Sequence, residues 1–379
     1  MDFPSRRNLL LGAGALLVTD TILASTARAA TDWETITPKA AGFQPDLVSR
    51  FETLQASGRL AGVHGVVALR RGRIVLERYM TGTDDAWGKP LGKVTFSPDT
   101  LHDLRSVTKS VVGLLYGIAL AAHQVPAPDQ PLLAQFPEYP DLAKDPQRAA
   151  LTIGHALTMT MGMEWNEALP YASNPANSEI AMENAPDRYR YILDRPILGE
   201  PGRGWIYSGG AVALLGKLIE KGTGKDLESF AKAALFDPLG IGPIEWHKGR
   251  DGEASAASGL RLTPRDLARI GQVVLSHGQW NGNTIVPADW LEKSFRPAAM
   301  AMEGIHYGYL WYLGEVAITG KTGVYAQPLV AAFGNGGQRL FIFPDLDFVL
   351  VVTAGNYDAE DAWRPSSALL REVFMSSLA

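Results

Sequence analysis

The chain has no cysteine in its 379 residues. Disulfides, thiolate nucleophiles and cysteine-ligated zinc are therefore excluded. Histidine is scarce as well: the seven present are scattered, with no His-Glu-x-x-His pair, so neither a metal nor another cofactor is expected. No Gly-x-Ser-x-Gly elbow occurs, which argues against an α/β-hydrolase. Charge of one sign is not in excess, since the net charge is -5 with both signs interspersed, and nothing resembles the basic footprint of a nucleic-acid binder. Internal repeats and low-complexity linkers are also missing. What remains is a chain with 46% hydrophobic residues, long enough for roughly two structural units or one composite domain.

The first residues read as an address. Ser5-Arg6-Arg7-Asn8-Leu9-Leu10 resembles a twin-arginine export signal, and the apolar stretch from Leu9 to Val18 is too short to span a bilayer. Ala27-Arg28-Ala29 offers small residues for a signal peptidase. The expectation is a signal over residues 1–29, export by the twin-arginine machinery, and a periplasmic or secreted mature chain with no stable membrane insertion.

Chemistry enters at Ser106-Val107-Thr108-Lys109, which opens the apolar run from Val111 to Ala122. A serine hydroxyl is a poor nucleophile near neutral pH, but a lysine three residues on shares its helix face and can accept its proton. Asp103 is the expected helix cap. A second match, Ser229 with Lys232, lies in an ordinary amphipathic helix over Asp226 to Leu235 and reads as chance. His102 and Asp103 lie close to Ser106 in sequence, but neighbours on a helix do not face each other, so a serine triad built from them is geometrically poor.

Strand patterns stand at both ends with helical periods between. Val63 to Leu69 and Arg73 to Tyr79 flank Arg70-Arg71-Gly72, and Arg339 to Phe343 and Phe348 to Thr353 flank Pro344-Asp345-Leu346-Asp347; each set predicts a hairpin. Ala211 to Lys221, Asp226 to Leu235 and Pro264 to Leu275 carry helical period, and Ala362 to Met375 reads as a closing helix. The predicted fold class is α+β: an antiparallel sheet built from both termini and flanked by helices, with a mainly helical domain inserted. The sheet part is expected over about 30–130 and 290–379 and the helical part over about 131–289, with a cleft between them.

Ser106-Val107-Thr108-Lys109, Tyr207-Ser208-Gly209 and Gly334-Asn335-Gly336-Gly337-Gln338 stand in the order expected of β-lactamase-related serine hydrolases, and the chain resembles that superfamily over most of its length. It embraces class C β-lactamases, penicillin-binding DD-peptidases, family VIII esterases and 6-aminohexanoate-dimer hydrolases. Leu157 to Trp165, Phe236 to Ile241 and Ala257 to Thr263 support the resemblance. It implies a β-lactamase/DD-peptidase-like fold and an acyl-enzyme on Ser106. Lys109, buried at the domain junction, takes the serine proton directly or through Tyr207. Tyr207 passes a proton to the leaving group. N-H groups of Ser106 and of a residue in the 334–338 segment hold the oxyanion.

Two departures narrow the substrate. The second motif commonly ends in Asn, whose amide orients the lysine, but Gly209 stands here, so water or another side chain must take that role. The third motif commonly begins with Lys or His, and Asn335 or Gly336 stands there instead, which weakens an antibiotic reading. Lys321-Thr322-Gly323 spells the alternative third motif, yet it reads as a hairpin tip, while the glycine-rich segment abuts the strand from Arg339. The expected function is hydrolysis of a small ester or linear amide. The alternatives are a β-lactamase or DD-carboxypeptidase using Lys321, and a non-catalytic binding relative.

Overall fold

A computed structural model describes residues 33–171, 174–320 and 323–378. The twin-arginine-like segment, the expected cleavage site and the Lys321-Thr322 pair lie outside the described residues.

Both predicted hairpins form. β1 (Val63–Arg70) pairs with β2 (Arg73–Tyr79). Further on come β3 (Ala299–Met302), β4 (Ile305–Tyr307), β5 (Tyr312–Gly320), β6 (Gly323–Gly334), β7 (Gln338–Phe343) and β8 (Phe348–Ala354). They make one eight-stranded sheet in the order β3-β4-β5-β6-β7-β8-β1-β2, antiparallel throughout. The early strand β1 lies against the late strand β8, with Val66 opposite Val352 and Ala68 opposite Leu350. Distant parts of the sequence thus meet in one sheet, as the patterns at the two ends predict.

The period-2 alternation of these strands divides the core into two layers. Val67, Leu69, Leu340, Ile342, Val349 and Val351 face one side, packed with Val111, Leu114 and Leu267 from helices. Val66, Ala68, Phe341, Phe343, Leu350 and Val352 face the other, against Phe51 and Phe374. Phe51 belongs to α1 (Leu47–Ala56). The closing segment begins as a helix at Arg364–Ala368, widens into a π-helical turn over Leu369–Phe374 and ends in a tight turn at Met375–Ser377. One continuous helix was the sequence expectation; the π turn carries Leu369, Leu370, Val373 and Phe374, all buried.

Two buried helices bear on the site. α2 (Val107–Ala121) is buried from Val107 through Gly117, as its all-round apolar sequence requires. α3 (Gly209–Thr223) is capped by Ser208, whose side chain accepts from Ala211 N-H, and ends on Gly224 in the left-handed conformation at φ +68°. Asp103 does not cap α2. It belongs to a two-residue strand, His102–Asp103, paired with Leu260–Leu262, and its carboxylate meets Arg105 and Arg261 at 3.2 and 3.0 Å. Arg105 breaks any helix at that point, because its φ is +49°.

Candidate active site

The turn through Arg105 delivers Ser106 to the first turn of α2, where backbone amides have no intrahelical acceptor and the helix dipole favours negative charge. Lys109, one turn further, is 1% exposed. Its Nζ lies 3.1 Å from Ser106 Oγ and donates at 2.9 Å to the Ala257 carbonyl. Tyr207, directly before α3, places its ring 4.8 Å from the same Nζ. Burial, with Tyr312 and Glu167 adding, holds the Tyr207 phenol well above the ordinary tyrosine range, against an opposing hydrogen bond with Ser106. Tyr207 therefore stays a neutral hydroxyl, able to donate a proton. Three residues that the sequence puts in separate motifs converge on one point.

The 334–338 segment closes the site from the sheet. A Cβ added at Gly334 would come within 2.4 Å of the Leu104 carbonyl, so β6 ends against the residue two before Ser106. Gly336 and Gly337 have φ of +86° and +99°, and a Cβ on Gly336 would strike the Tyr357 ring at 2.6 Å. Glycine is required at 336 for conformation and for space alike. Gln338 is fully buried with its side chain turned away onto Ala354, accepting from Ala354 N-H at 3.0 Å and donating back to its carbonyl. Asn335 donates to Asp358 at 2.7 Å and accepts from Asp358 N-H at 2.9 Å. At the place where the expected third motif would begin with Lys or His, this chain has a neutral amide engaged with a carboxylate.

The sequence reading misses two carboxyl groups beside Lys109. Glu167 Oε2 and Glu179 Oε2 lie 3.8 and 3.7 Å from Lys109 Nζ, and both side chains are buried. Glu167 accepts from Gly209 N-H, from Trp165 Nε1 at 2.6 Å and from Tyr171 Oη at 2.8 Å. Glu179 accepts from the Ser258 hydroxyl. Burial, with the Glu167 carboxylate adding, pushes Glu179 up to about 8, against the pull of Lys109. The available signal was weak: Glu179 follows the helix cap Asn177, a place where acids are common for dipole reasons alone. Nearby, Glu164 is turned to Arg195, whereas Trp205 packs 5.8 Å from the Tyr207 ring. Ser229 is exposed and donates its N-H and hydroxyl to the helix cap Asp226.

Behind the 334–338 turn lies a buried polar chain. His64, Asp84 and His102 bring potential metal-ligating atoms within 4.8 Å of one another. His64 Nδ1 and His102 Nε2 are 2.9 Å apart, and His102 Nδ1 is 3.0 Å from the Asp103 carbonyl. The carbonyl requires the proton on His102 Nδ1, so His64 Nδ1 donates to His102 Nε2. Tyr357 Oη donates to Asp84 at 2.9 Å, linking this chain to the ring under Gly336. His102 thus serves this chain and makes no hydrogen bond to Ser106.

Burial lowers both imidazoles to about 4. The unfolded chain takes up these protons near pH 6.5, before the folded protein does. The stabilisation is complete above about 6.5 and falls as pH drops toward 4, by on the order of 3 kcal/mol per imidazole. Thermal melts between pH 7 and 4 are expected to show a steady decline that His102→Gln makes shallower. Parallel slopes in the two proteins would contradict this origin.

Comparison with known proteins adds the lineage. The Beta-lactamase family model matches residues 47–368. The chain belongs to that family. Among family members, it is 30% identical over 210 residues to Esterase EstB of Burkholderia gladioli, covering 53% of this chain and 51% of the esterase. It thus spans about half the length of that relative. It is 24% identical over 322 residues to the 6-aminohexanoate-dimer hydrolase of Paenarthrobacter ureafaciens, covering 81% of this chain and 74% of that one. The fold is similar to that of EstCE1, a hydrolase with promiscuous acyltransferase activity, at TM-score 0.68 and 14% identity over 87% of this chain and 98% of that one. It is also similar to the octameric penicillin-binding protein homologue from Pyrococcus abyssi, at TM-score 0.61 and 18% identity over 86% and 77%. The β-lactamase/DD-peptidase-like fold read from the motifs is the fold found.

Proposed function

We propose that this chain is an exported serine hydrolase that cleaves a small carboxylic ester or linear amide through an acyl-enzyme on Ser106. The observation that carries the reading is Lys109 Nζ at 3.1 Å from Ser106 Oγ inside a buried site. Ser106 Oγ attacks the substrate carbonyl carbon and its proton passes to Lys109. Negative charge on the carbonyl oxygen is met by the Ser106 N-H and an N-H of the 334–338 turn; losing one such donor typically slows an enzyme about 100-fold to 1000-fold. Tyr207 relays the proton to the departing alcohol or amine, and water then releases the acid by the reverse path.

Two features favour a neutral substrate over a β-lactam. Asn335 is tied to Asp358, and the Glu167 and Glu179 carboxyl groups beside Lys109 offset the lysine charge that would hold an anionic ligand. The names of the relatives, an esterase and a 6-aminohexanoate-dimer hydrolase, point the same way. Export rests on the twin-arginine-like N-terminus.

The test is a substrate panel of p-nitrophenyl esters, short linear amides, a chromogenic cephalosporin and a D-Ala-D-Ala peptide. Esters or amides are expected to turn over and the cephalosporin to remain intact. Efficient cephalosporin hydrolysis that is lost in Lys321→Ala would move the function to the antibiotic-type motif.

A further inference from the structure

Gly209 leaves a gap in the second motif, and two acids fill it. A Cβ at this position would lie 2.9 Å from Glu167 Oε1 and 3.0 Å from Glu179 Oε2. The space that an asparagine side chain needs is therefore occupied by the two carboxyl groups, which also face the lysine amine that such an asparagine would orient. Glu167 is held by three donors and is fixed in place. Glu179 is not: its Oε1 accepts from Ser258, while the buried Oε2, 3.7 Å from Lys109 Nζ, has no hydrogen-bond partner among the described residues.

We propose that Glu179 is a positioning residue that holds the proton Lys109 must give up to act as base, with Glu167 completing the replacement for the missing asparagine. This rests on the serine hydrolase reading above. The geometry sorts the valences of Lys109. A neutral amine has two N-H bonds and one lone pair; the N-H groups suit the Ala257 carbonyl and the carboxylates, which leaves the lone pair for Ser106 Oγ. An ammonium has no lone pair and cannot take the serine proton. Transfer of one proton from Lys109 Nζ to Glu179 Oε2 creates the base and turns the unpartnered oxygen into an O-H donor, with the Glu167 carboxylate beside it as acceptor. The proton from Ser106 then enters Lys109 as Oγ attacks and leaves through Tyr207 to the departing alcohol or amine, and in the second half a proton from water travels back by the same groups to Ser106, so Glu179 keeps its proton throughout and no charge is gained or lost.

Two carboxyl groups side by side in a buried site do not both ionise readily, which is the general reason one of them retains a proton. The groups facing Glu179 are Lys109 from α2, Glu167 and Tyr171 from the preceding loop, Tyr207 before α3, and Ser258. Lys109 is the cation among them. As pH rises through about 8, where Glu179 titrates, the cluster passes from two shared protons to one. With a single proton left between the two groups, its placement on Glu179 frees the amine, so activity is expected to rise across this range.

The experiment measures the rate of Ser106 labelling by a fluorophosphonate from pH 6 to 10, in the full chain and in Glu179→Gln, Glu179→Asp and Ser258→Ala. In the unaltered protein the rate is expected to rise with a midpoint near pH 8. Glu179→Gln, which keeps an acceptor for Ser258, is expected to label about 100-fold more slowly at pH 8, with the midpoint moved upward; Glu179→Asp restores part of the rate. Ser258→Ala, which leaves the carboxyl in place, keeps the rise and shifts it by less. Thermal melting reports whether each variant is folded. If Ser106 labels in the unaltered protein and Glu179→Gln gives the same rate and pH profile, the role of Glu179 is wrong while the hydrolase reading stands. If Ser106 does not label in the unaltered protein, the hydrolase reading itself fails.

Discussion

Ser106→Ala is expected to drop ester turnover to the assay floor, a loss of roughly 10⁵-fold or more, with little change in stability. The size follows from the role: removing a covalent nucleophile abolishes the two-step path, and what survives is whatever the oxyanion donors and binding achieve alone. The small structural cost follows from the site. Ser106 is only half-buried at the start of α2, and alanine removes its hydrogen bonds with Lys109 and Tyr207 while Lys109 keeps the Ala257 carbonyl. Ser229→Ala is the control, since that exposed side chain serves a local cap with Asp226. Steady-state rates on p-nitrophenyl esters check both variants. A Ser106→Ala protein retaining a tenth of the rate would show that the hydroxyl is not the nucleophile.

Lys109→Ala is expected to lose activity by about 10³-fold or more and, unlike Ser106→Ala, to lose stability as well. Lys109 is the cation facing Glu167 and Glu179 in a buried site. Removing one member of a buried ion pair strands the charge of the other, a cost of about 3–5 kcal/mol. Part of that is recovered because Glu179, already pushed up to about 8, takes a proton without the lysine beside it. Protonation at low pH relieves the stranded charge further, so the deficit relative to the unaltered protein is expected to shrink as pH falls from 8 to 5. Denaturant titrations at the two pH values measure this. An equal deficit at both would mean that the loss comes from the emptied volume and not from charge.

The nucleophile, its base and the sheet were legible in the sequence for a shared reason: each is local. Ser106 and Lys109 are one helical turn apart, and the hairpins at 63–79 and 338–354 are written in alternating apolar residues with turn chemistry between. The glycine-rich segment was legible as abutting the strand from Arg339, and Gly336 and Gly337 take positive φ just before that strand. The partners of Lys109 were not legible, because Glu167, Glu179 and the Ala257 carbonyl come from separate segments that only the tertiary fold assembles. Gly209 gave a hint in the form of a missing amide, though not the identity of its replacement. Asp103 misled in the opposite way: an acid before an apolar helix suits a cap, but the left-handed turn at Arg105 sends the chain into a short strand instead. The buried His64 and His102 contact was equally invisible, since it joins β1 to that strand.

The central claim is that Ser106 is the nucleophile. The most direct test is fluorophosphonate treatment of active, folded protein, followed by peptide mass mapping. One adduct is expected, on the peptide that carries Ser106, absent after Ser106→Ala and unchanged after Ser229→Ala. An active protein that forms no adduct, or forms it on another serine, would contradict the claim.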